Sequence, residues 1–393
     1  MVKKKLILVI NPGSTSTKAA CFQEKKLVNS REILHGAEEL KNFSSINEQL
    51  EFRKEAVLSY LRENGLGPED LQAIACRGGN VGQLEPGAYE VDQAFVEASF
   101  HSETPHPANL SPIIGYEIAK EVNEKLGRTP DSPDALKAYV YDPVCGCGIP
   151  EKLYTITGIP EIEKPFLTHV LNSRAVSIEE AKREGKKLEE TCYIVAHLGG
   201  GITVNLLKGG RILDLVGDDE GGFSPERSGG LSVRLLTKLC YSGRYTEQEM
   251  QKRLKGKGGL MAYLGMNDLR EVEKKIAQGD KQAALILDAM ILQTAKDIVS
   301  LGAVTCGKID KIILTGGMAH SKMLTDKLRE RVEFLAPVDV IAGTYEMEAL
   351  AFGILRVLRG DEKARQLPGP TTQDGQDDSN KQTYITTEVF PQL

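Results

Sequence analysis

Runs of apolar residues that open into glycine-rich turns recur along the chain. The segments LILVI (6–10), YIVAHL (193–198) and IILT (312–315) are followed by NPGSTST, GGG and GG, respectively. Continuous apolar runs of this length are typical of strands that are buried on both faces of a sheet. The pattern therefore predicts three central strands whose carboxyl ends carry turns with few bulky side chains.

The first two of these strands begin a repeated unit. Residues 6–33 and 191–217 share one order of features: a buried strand, a polar glycine turn, a second strand, a basic turn and a third strand. A repeat of this kind indicates a duplicated domain. Apolar residues at helical spacing predict helices over 46–64, 111–127 and 346–360, and an interrupted helical stretch over 247–300. The predicted fold class is α/β.

The length of the chain predicts two domains. Its 393 residues exceed the ~250–300 at which a single hydrophobic core stops growing. We expect an N-terminal domain over 1–150, completed by a returning helix at about 348–365, and a C-terminal domain over 151–347. From 366 to 393 the chain is rich in Pro, Gly, Gln and Asp, which predicts a flexible polar tail.

The charge balance argues against nucleic-acid and membrane partners. The net charge is −6, and both signs are interspersed among the charged residues, which are 26% of the chain, so no basic surface is expected. No apolar run approaches the ~18 residues of a membrane span. The lysines at the start precede only the short run LILVI, which predicts a strand instead of a signal peptide, and hence a cytoplasmic protein.

The turn after the first strand admits two interpretations. Four hydroxyl residues, 14–17, follow Gly13, and hydroxyl and amide groups behind a glycine suit phosphate oxygens. A polar β-hairpin turn explains the same residues, and the stretch taken alone favours the hairpin. The stretch is not a Walker loop, because no glycine precedes Lys18. HLGGG is not a dinucleotide-binding motif, because it is followed by a strand, whereas that motif is followed by a helix. If the three glycine turns converge on one cleft, they would form an anion site.

Four further residues are candidates for chemistry. Arg77 and Arg227 each lie close to a glycine pair, where a guanidinium suits two-pronged binding of a carboxylate or phosphate, although a surface ion pair is the alternative for each. His197 ends a buried strand before the glycines, so its ring is expected in the same cleft. Asp142 ends the strand KAYVYDP, a position at which a carboxylate can hold a metal ion.

Together these segments resemble the butyrate kinase branch of the acetate kinase family, in the superfamily of sugar kinases, heat-shock chaperones and actin. The similar stretches occur in family order over about 1–360: NPGSTSTK, CRGG, HPANL, YDPV, THVLNSRA, HLGGGITV, GGFSPERSGGL, NDLREVE, ILTGGMAHS and YEMEALAFG. The resemblance implies duplicated actin-like (ribonuclease H-like) α/β domains with a nucleotide cleft between them.

The resemblance also implies roles for single residues. Contacts to the nucleotide would come from Asn11, Ser14, Ser16, Gly199, Gly200, Asp268, Leu269, Arg270, Gly316, Gly317 and Met318, with His197 at the γ-phosphate. Arg77 and Arg227 would bind the carboxylate and the phosphoryl group in transfer. His106 and Asn109 would face the substrate, although a structural hydrogen bond explains His106 at least as well. Asp142 and Glu346 would place Mg²⁺, with Glu348 as the alternative to Glu346.

The implied activity is reversible phosphoryl transfer between ATP and a short-chain carboxylate, giving ADP and an acyl phosphate. Butyrate or a branched acid of similar length is expected, because PERSGGL and EMEALA follow the butyrate kinases. An acetate or propionate kinase and a non-catalytic ATP-binding protein are the alternatives, and the paired arginines argue against the latter. HPANLSP and CGCGIPE depart from the family pattern near the expected acyl end, which leaves the choice of acid open. A homodimer is expected from the family and from the apolar C-terminal helix.

Overall fold

Two mixed β-sheets organise the protein, whose computed structural model describes residues 5–367. The strands of the first sheet are β1 (Leu6–Pro12), β2 (Ser16–Gln23), β3 (Lys26–Leu34), β4 (Leu71–Cys76), β5 (Ala88–Glu90) and β6 (Ala138–Tyr141). Those of the second are β7 (Cys192–Leu198), β8 (Ile202–Lys208), β9 (Arg211–Val216), β10 (Lys311–Gly316) and β11 (Val338–Ala342). The tail predicted over 366–393 lies, apart from its first two residues, outside the described residues.

The two sheets share one topology. The first has the order β3-β2-β1-β4-β6-β5 and the second the order β9-β8-β7-β10-β11. In each, an antiparallel three-strand meander is extended from its first strand by two parallel strands. The duplicated α/β fold expected from the sequence is therefore confirmed, with β5 as an additional edge strand in the first copy.

Helices cover both faces of each sheet. The α-helices are α1 (Ala37–Leu40), α2 (Leu50–Glu63), α3 (Gln93–Phe100), α4 (Leu110–Lys125), α5 (Val170–Arg183), α6 (Val233–Cys240), α7 (Glu247–Leu254), α8 (Gly259–Leu264), α9 (Leu269–Ala277), α10 (Lys281–Gly302), α11 (Lys322–Val332) and α12 (Glu346–Arg359). Short 3₁₀ turns include Pro107–Asn109 and Gly317–His320. Within residues 5–367, no helix is long and apolar enough to cross a bilayer.

The central strands are apolar along their whole length because each of their faces packs on a helical layer. In β1, Leu8 and Ile10 join the core under α2 and α4, whereas Ile7 and Val9 pack against Leu350 and Ile354 of α12.

β7 follows the same rule: its even-numbered apolar residues pack with α10 and α11, and its odd-numbered ones pack with Val170 and Val176 of α5. Helices α5 and α12 also contact each other, so they form the inner layer between the two sheets.

Helix α12 packs on the first sheet although it follows the second sheet in sequence. Its apolar face is thus covered within the chain, and the expectation that this helix needs a partner subunit is wrong. The glycine at position 353 permits the contact, since a Cβ there would lie 2.5 Å from the ring of Tyr141. The domain boundaries at residues 150 and 347 stay predictions.

Candidate active site

The glycine turns that follow β7 and β10 lie against each other. Gly316 has a positive φ of 93°, and a Cβ at this position would lie 2.4 Å from the carbonyl oxygen of Leu198. Only glycine tolerates both this backbone conformation and this close approach. The two turns are neighbours because β7 and β10 are adjacent parallel strands, whose carboxyl ends share one edge of the sheet.

A cavity of about 720 Å³ opens beside these turns. Seven of the residues expected at the nucleotide line it: Gly199, Gly200, Asp268, Leu269, Arg270, Gly317 and Met318. Gly316 is not among the lining residues. The cavity is also lined by five residues that were not expected from the sequence: Pro225, Asn267, Glu273, His320 and Ser321. The cavity has the size of a small-molecule site and lies at a strand-end edge, as nucleotide sites in α/β folds do.

Asp268 begins helix α9 at the mouth of this cavity. Its carboxylate accepts a hydrogen bond of 2.9 Å from the backbone N–H of Arg270 and pairs with the Arg270 guanidinium at 2.6 Å. Hydrogen bonds from Arg270 lower the pKa of Asp268 to about 2. The Arg270 side chain is 84% exposed, so it stands at the rim of the cavity.

A polar cluster joins the first sheet to the start of α12. The Asn11 amide at the end of β1 donates a 2.9 Å hydrogen bond to Glu346, and the Arg77 guanidinium after β4 lies 4.0 Å from the same carboxylate. Burial raises the pKa of Glu346, but the charge on Arg77 and the bond from Asn11 outweigh it and lower the pKa. Glu346 is therefore an ionised carboxylate at the junction of the two sheets.

His197 is held in one tautomer. Its Nδ1 lies 3.0 Å from the side-chain nitrogen of Asn172, whose oxygen accepts the backbone N–H of Tyr345 at 3.1 Å. Because the amide nitrogen can only donate, Nδ1 accepts and the ring proton resides on Nε2. A Cβ on Gly199 would lie 3.2 Å from that Nε2 atom, so the N–H is next to the glycine turn. Asn172 lies in the segment THVLNSRA, but the sequence offered no signal for this role.

Both this ring and that of His169 are neutral. Burial lowers the pKa of His197 well below its ordinary value, and neighbouring His169 adds to the effect. Burial also lowers the pKa of His169 to about 4, with smaller contributions from the charges of Arg77 and Arg227. His197 can accordingly donate a hydrogen bond without carrying charge.

Arg227 lies at the far end of the glycine turn. Its Nε donates to Asp218 at 3.1 Å, and its Nη1 lies 3.5 Å from the carboxylate of Glu226. A Cβ on Gly201 would lie 3.8 Å from the Nε atom, which locates the guanidinium beside the turn. The acidic residues that precede it in sequence thus hold it in place, and its Nη2 makes no hydrogen bond to the part of the chain that the structure describes.

Lys255 was not singled out from the sequence. Its backbone pairs with that of Arg227, and its side chain is exposed. Desolvation followed by the charges of Lys255 and Arg77 lowers the pKa of His106. Lys255 therefore extends the group of cations around the cleft, a feature that depends on the backbone pairing and has no local sequence signal.

Asp142 differs from the expectation. Its carboxylate forms an ion pair with Arg174 of α5 and accepts a 2.7 Å hydrogen bond from Gly87 N–H, while its side chain is 1% exposed. Burial raises the pKa of Asp142 even though Arg174 opposes the shift. It meets Arg77 only through its backbone carbonyl, at 3.4 Å. A buried carboxylate already paired in this way is not available to a metal ion.

Three further residues that were expected at the ligands have partners within the protein. Asn109 is 2% exposed and lies beneath Gly79, where a Cβ would meet its side chain at 2.3 Å, so it supports the turn after Arg77. The Ser16 hydroxyl donates to Glu32 at 2.9 Å. His106 is exposed and its Nδ1 accepts the backbone N–H of Ala108 at 3.1 Å, the structural hydrogen bond considered from the sequence.

Comparison with known proteins agrees with this arrangement. The Acetokinase family pattern matches residues 148–339. The chain is 43% identical over 360 residues to probable butyrate kinase 2 of Caldanaerobacter subterraneus subsp. tengcongensis, covering 91% of this chain and 98% of the relative. It is 40% identical over 363 residues to butyrate kinase 1 of Clostridium acetobutylicum, covering 92% and 99%.

Solved structures share the fold. The Porphyromonas gingivalis acetate kinase superposes with a TM-score of 0.71 at 19% identity, covering 90% of this chain and 100% of that one. A propionate kinase from Francisella tularensis gives a TM-score of 0.69 at 19% identity, covering 89% and 98%. At this identity, the likeness describes the architecture only.

Proposed function

Since this chain belongs to the acetokinase family and is a carboxylate kinase with ATP or ADP as co-substrate, we propose that it phosphorylates butyrate or a carboxylate of similar length. Two of its relatives carry the name butyrate kinase, and each is matched over nearly its whole length. The product would be an acyl phosphate, and the reaction would be reversible.

The observation that carries the mechanism is the meeting of groups from both sheets around His197. Asn172 connects His197 at 3.0 Å to the backbone N–H of Tyr345 at 3.1 Å. The next residue, Glu346, lies 4.0 Å from Arg77. Arg77 comes from the first sheet and His197 from the second. Such an arrangement suits a ligand that spans the cleft, with its adenosine in the 720 Å³ cavity and its phosphates directed towards Arg77.

We propose that the Nε2–H of His197 donates a hydrogen bond to the γ-phosphate and that Arg77 and Arg227 bind the carboxylate and the phosphoryl group in transfer. A carboxylate oxygen forms a bond to the γ-phosphorus while the bond to the bridging oxygen of ADP breaks. The carboxylate is already ionised near pH 7, so the reaction needs no general base. Catalysis then rests on positioning and on neutralising charge.

Glu346 fits a magnesium site. Mg²⁺ is commonly held by one or two carboxylates together with substrate phosphates, and within residues 5–367 no cluster of three or more metal-binding side chains exists. The lowered pKa of Glu346 keeps it ionised beside the cleft, whereas Asp142 is engaged by Arg174. Mg²⁺ would be held by Glu346 and the ATP phosphates, where it supplies charge neutralisation.

One assay tests both the activity and the substrate. Acyl phosphate formed from ATP and each straight-chain acid from acetate to hexanoate is trapped with hydroxylamine. We expect kcat/KM to be higher for butyrate than for acetate, because each methylene buried adds up to about 0.8 kcal/mol. A higher value for acetate would remove the butyrate assignment and leave a carboxylate kinase. If no acid gave an acyl phosphate, the result would favour an ATP-binding protein that does not transfer the phosphoryl group.

A homodimer and a cytoplasmic location belong to the same proposal. Support for the dimer comes from α6, whose residues include no buried side chain and whose Val233 and Leu235 are 73% and 65% exposed. Tyr241, directly after this helix, is 81% exposed. Several large apolar side chains left exposed in one short segment are typical of a subunit interface.

A further inference from the structure

Arg53 of helix α2 is buried beneath the β1–β2 turn. It is 0% exposed, and all three of its guanidinium nitrogens are used. Nε donates to Gln49 at 3.0 Å, Nη1 to the Ser16 carbonyl at 3.0 Å and the Thr17 hydroxyl at 3.1 Å, and Nη2 to the Ser14 carbonyl at 3.3 Å. The guanidinium therefore holds the backbone of the turn from inside the protein.

This buried cation has no anionic partner among residues 5–367. Its hydrogen bonds go to carbonyl, amide and hydroxyl oxygens, and the nearby Glu32 accepts from Ser16 without reaching Arg53. Burial lowers the pKa of Arg53 to about 10, so it remains charged at neutral pH. Arginine is almost never fully buried unless paired, because desolvating an ion costs several kcal/mol.

His35 holds the turn from a second side. His35 Nε2 lies 2.8 Å from the Thr17 hydroxyl, and its backbone N–H donates to the Thr15 carbonyl at 2.9 Å. Burial, followed by the charge of Arg53, lowers the pKa of His35. The turn is thus fixed from two sides. Arg53 is the buried charge beneath it, whereas the carboxylate of Glu32, which accepts from Ser16, is exposed.

The charge of Arg53 is felt in the cleft. After desolvation and the charges of Lys255 and Arg77, Arg53 also contributes to the lowered pKa of His106. Ser14 and Thr15 at the tip of the turn are exposed, whereas Thr17 is completely buried. The turn consequently lies between a buried cation and an open surface of hydroxyl and amide groups.

We propose that Arg53 is a positioning residue for the terminal phosphate of the nucleotide. Arg53 fixes the turn 13–17 in the conformation that binds the phosphate. Its positive charge, on the inner side of the turn, attracts the negative charge of the phosphate on the outer side. This inference rests on the proposed function, which directs the nucleotide phosphates towards Arg77. The turn is close to Arg77, because the Arg77 backbone N–H donates to the Ile10 carbonyl at 3.1 Å, near the end of β1 from which the turn begins. Replacing Arg53 should therefore weaken binding most for the nucleotide with the most phosphates, and it should leave the binding of adenosine unchanged.

The test measures binding of ATP, ADP and adenosine to the full chain by calorimetry. For Arg53→Gln we expect the dissociation constant of ATP to rise about tenfold, equivalent to about 1.4 kcal/mol, that of ADP to rise less, and that of adenosine to change less than about twofold. Arg62→Gln is the matched control, since Arg62 lies on the same helix with a side chain 59% exposed, and all three constants should match wild type.

Arg53→Lys retains the charge without the two-pronged fork and should weaken ATP binding by an intermediate factor. If Arg53→Gln does not fold, Arg53→Lys tests the inference instead, and its affinity should fall for ATP but not for adenosine. ATP affinity within twofold of wild type, or equal losses for ATP and adenosine, would overturn the inference. A wild-type protein that binds no ATP would instead overturn the proposed function.

Discussion

The imidazole rings of His169 and His197 are stacked in parallel, with centroids 3.9 Å apart and an interplanar angle of 9°. His169 is anchored by Thr203 at 3.0 Å and His197 by Asn172 at 3.0 Å. Two imidazolium rings in this arrangement would repel each other at short distance in a desolvated site, so the pair is stable only while it is neutral.

Protonation of this pair should make the protein less stable in acid. The folded pKa of His169 is lowered to about 4, below its ordinary 6.5, so the unfolded chain binds more protons between these values. The contribution of neutral His169 to the free energy of unfolding is complete above pH 6.5 and is lost as the pH falls towards 4. The free energy of unfolding, measured with urea, should fall between pH 7.5 and pH 5 by between about 1 and 2 kcal/mol more for wild type than for His169→Phe. Equal losses would show that His169 does not titrate in this way.

Arg227→Ala should lower kcat at least about a hundredfold, because an arginine contact made in the transition state of phosphoryl transfer is worth about 10³-fold or more. ADP affinity should stay within about threefold of wild type, since the contact is made mainly during transfer. Arg227→Lys should restore only part of the rate. Steady-state kinetics and ADP calorimetry check both effects. Retained kcat, or loss of the fold, would mean that its pairing with Asp218 and Glu226 is purely structural.

Glu346→Gln should raise the Mg²⁺ concentration that gives half-maximal activity by at least about tenfold, since even outer partners of metal ligands cost 10–100-fold. The amide oxygen can still accept the Asn11 hydrogen bond, so the variant should fold. Glu348→Gln is the matched control in the same helical turn, and it should titrate with Mg²⁺ like wild type. A larger effect at Glu348 would transfer the metal role to that residue.

Gly316→Ala and Gly317→Ala should separate stability from nucleotide binding. At Gly316 a methyl group meets the Leu198 backbone in a left-handed conformation, which should cost on the order of 1–3 kcal/mol in urea unfolding. At Gly317 the Cβ finds no atom within 4 Å, so stability should change by less than about 0.5 kcal/mol. Its methyl group would enter the cavity and weaken ATP binding. The opposite ranking in unfolding experiments would contradict the packing of the two turns.

Light scattering at micromolar concentration should give about twice the monomer mass of 43.0 kDa. Leu235→Asp should shift the protein towards the monomer, because it would place a charge in the apolar surface of α6. Leu285→Asp is the control, since Leu285 is 67% exposed but lies on α10. A wild-type monomer would refute the dimer, and dissociation by both variants alike would refute the role of α6.

The repeated strand–turn–strand pattern, the central strands and the main helices could be predicted from the sequence because they depend on neighbouring residues. A continuous apolar run such as LILVI forms a strand that is buried on both faces. A glycine pair after it lets another segment of backbone approach closely. Seven of the twelve residues that line the cavity beside the glycine turns were expected, and that expectation came from the resemblance to the acetate kinase family.

Pairings between distant side chains were decided by the tertiary structure alone. Asn11 and Glu346 are separated by 335 residues, and Asp142 reaches Arg174 rather than the open cleft. Arg53 has the spacing of an ordinary helical residue, and only the packing of α2 beneath the β1–β2 turn makes it a buried cation. Hydrophobic periodicity specifies which face of an element is buried, but the partner of a polar group depends on which elements meet, and the chain acquires that information only on folding.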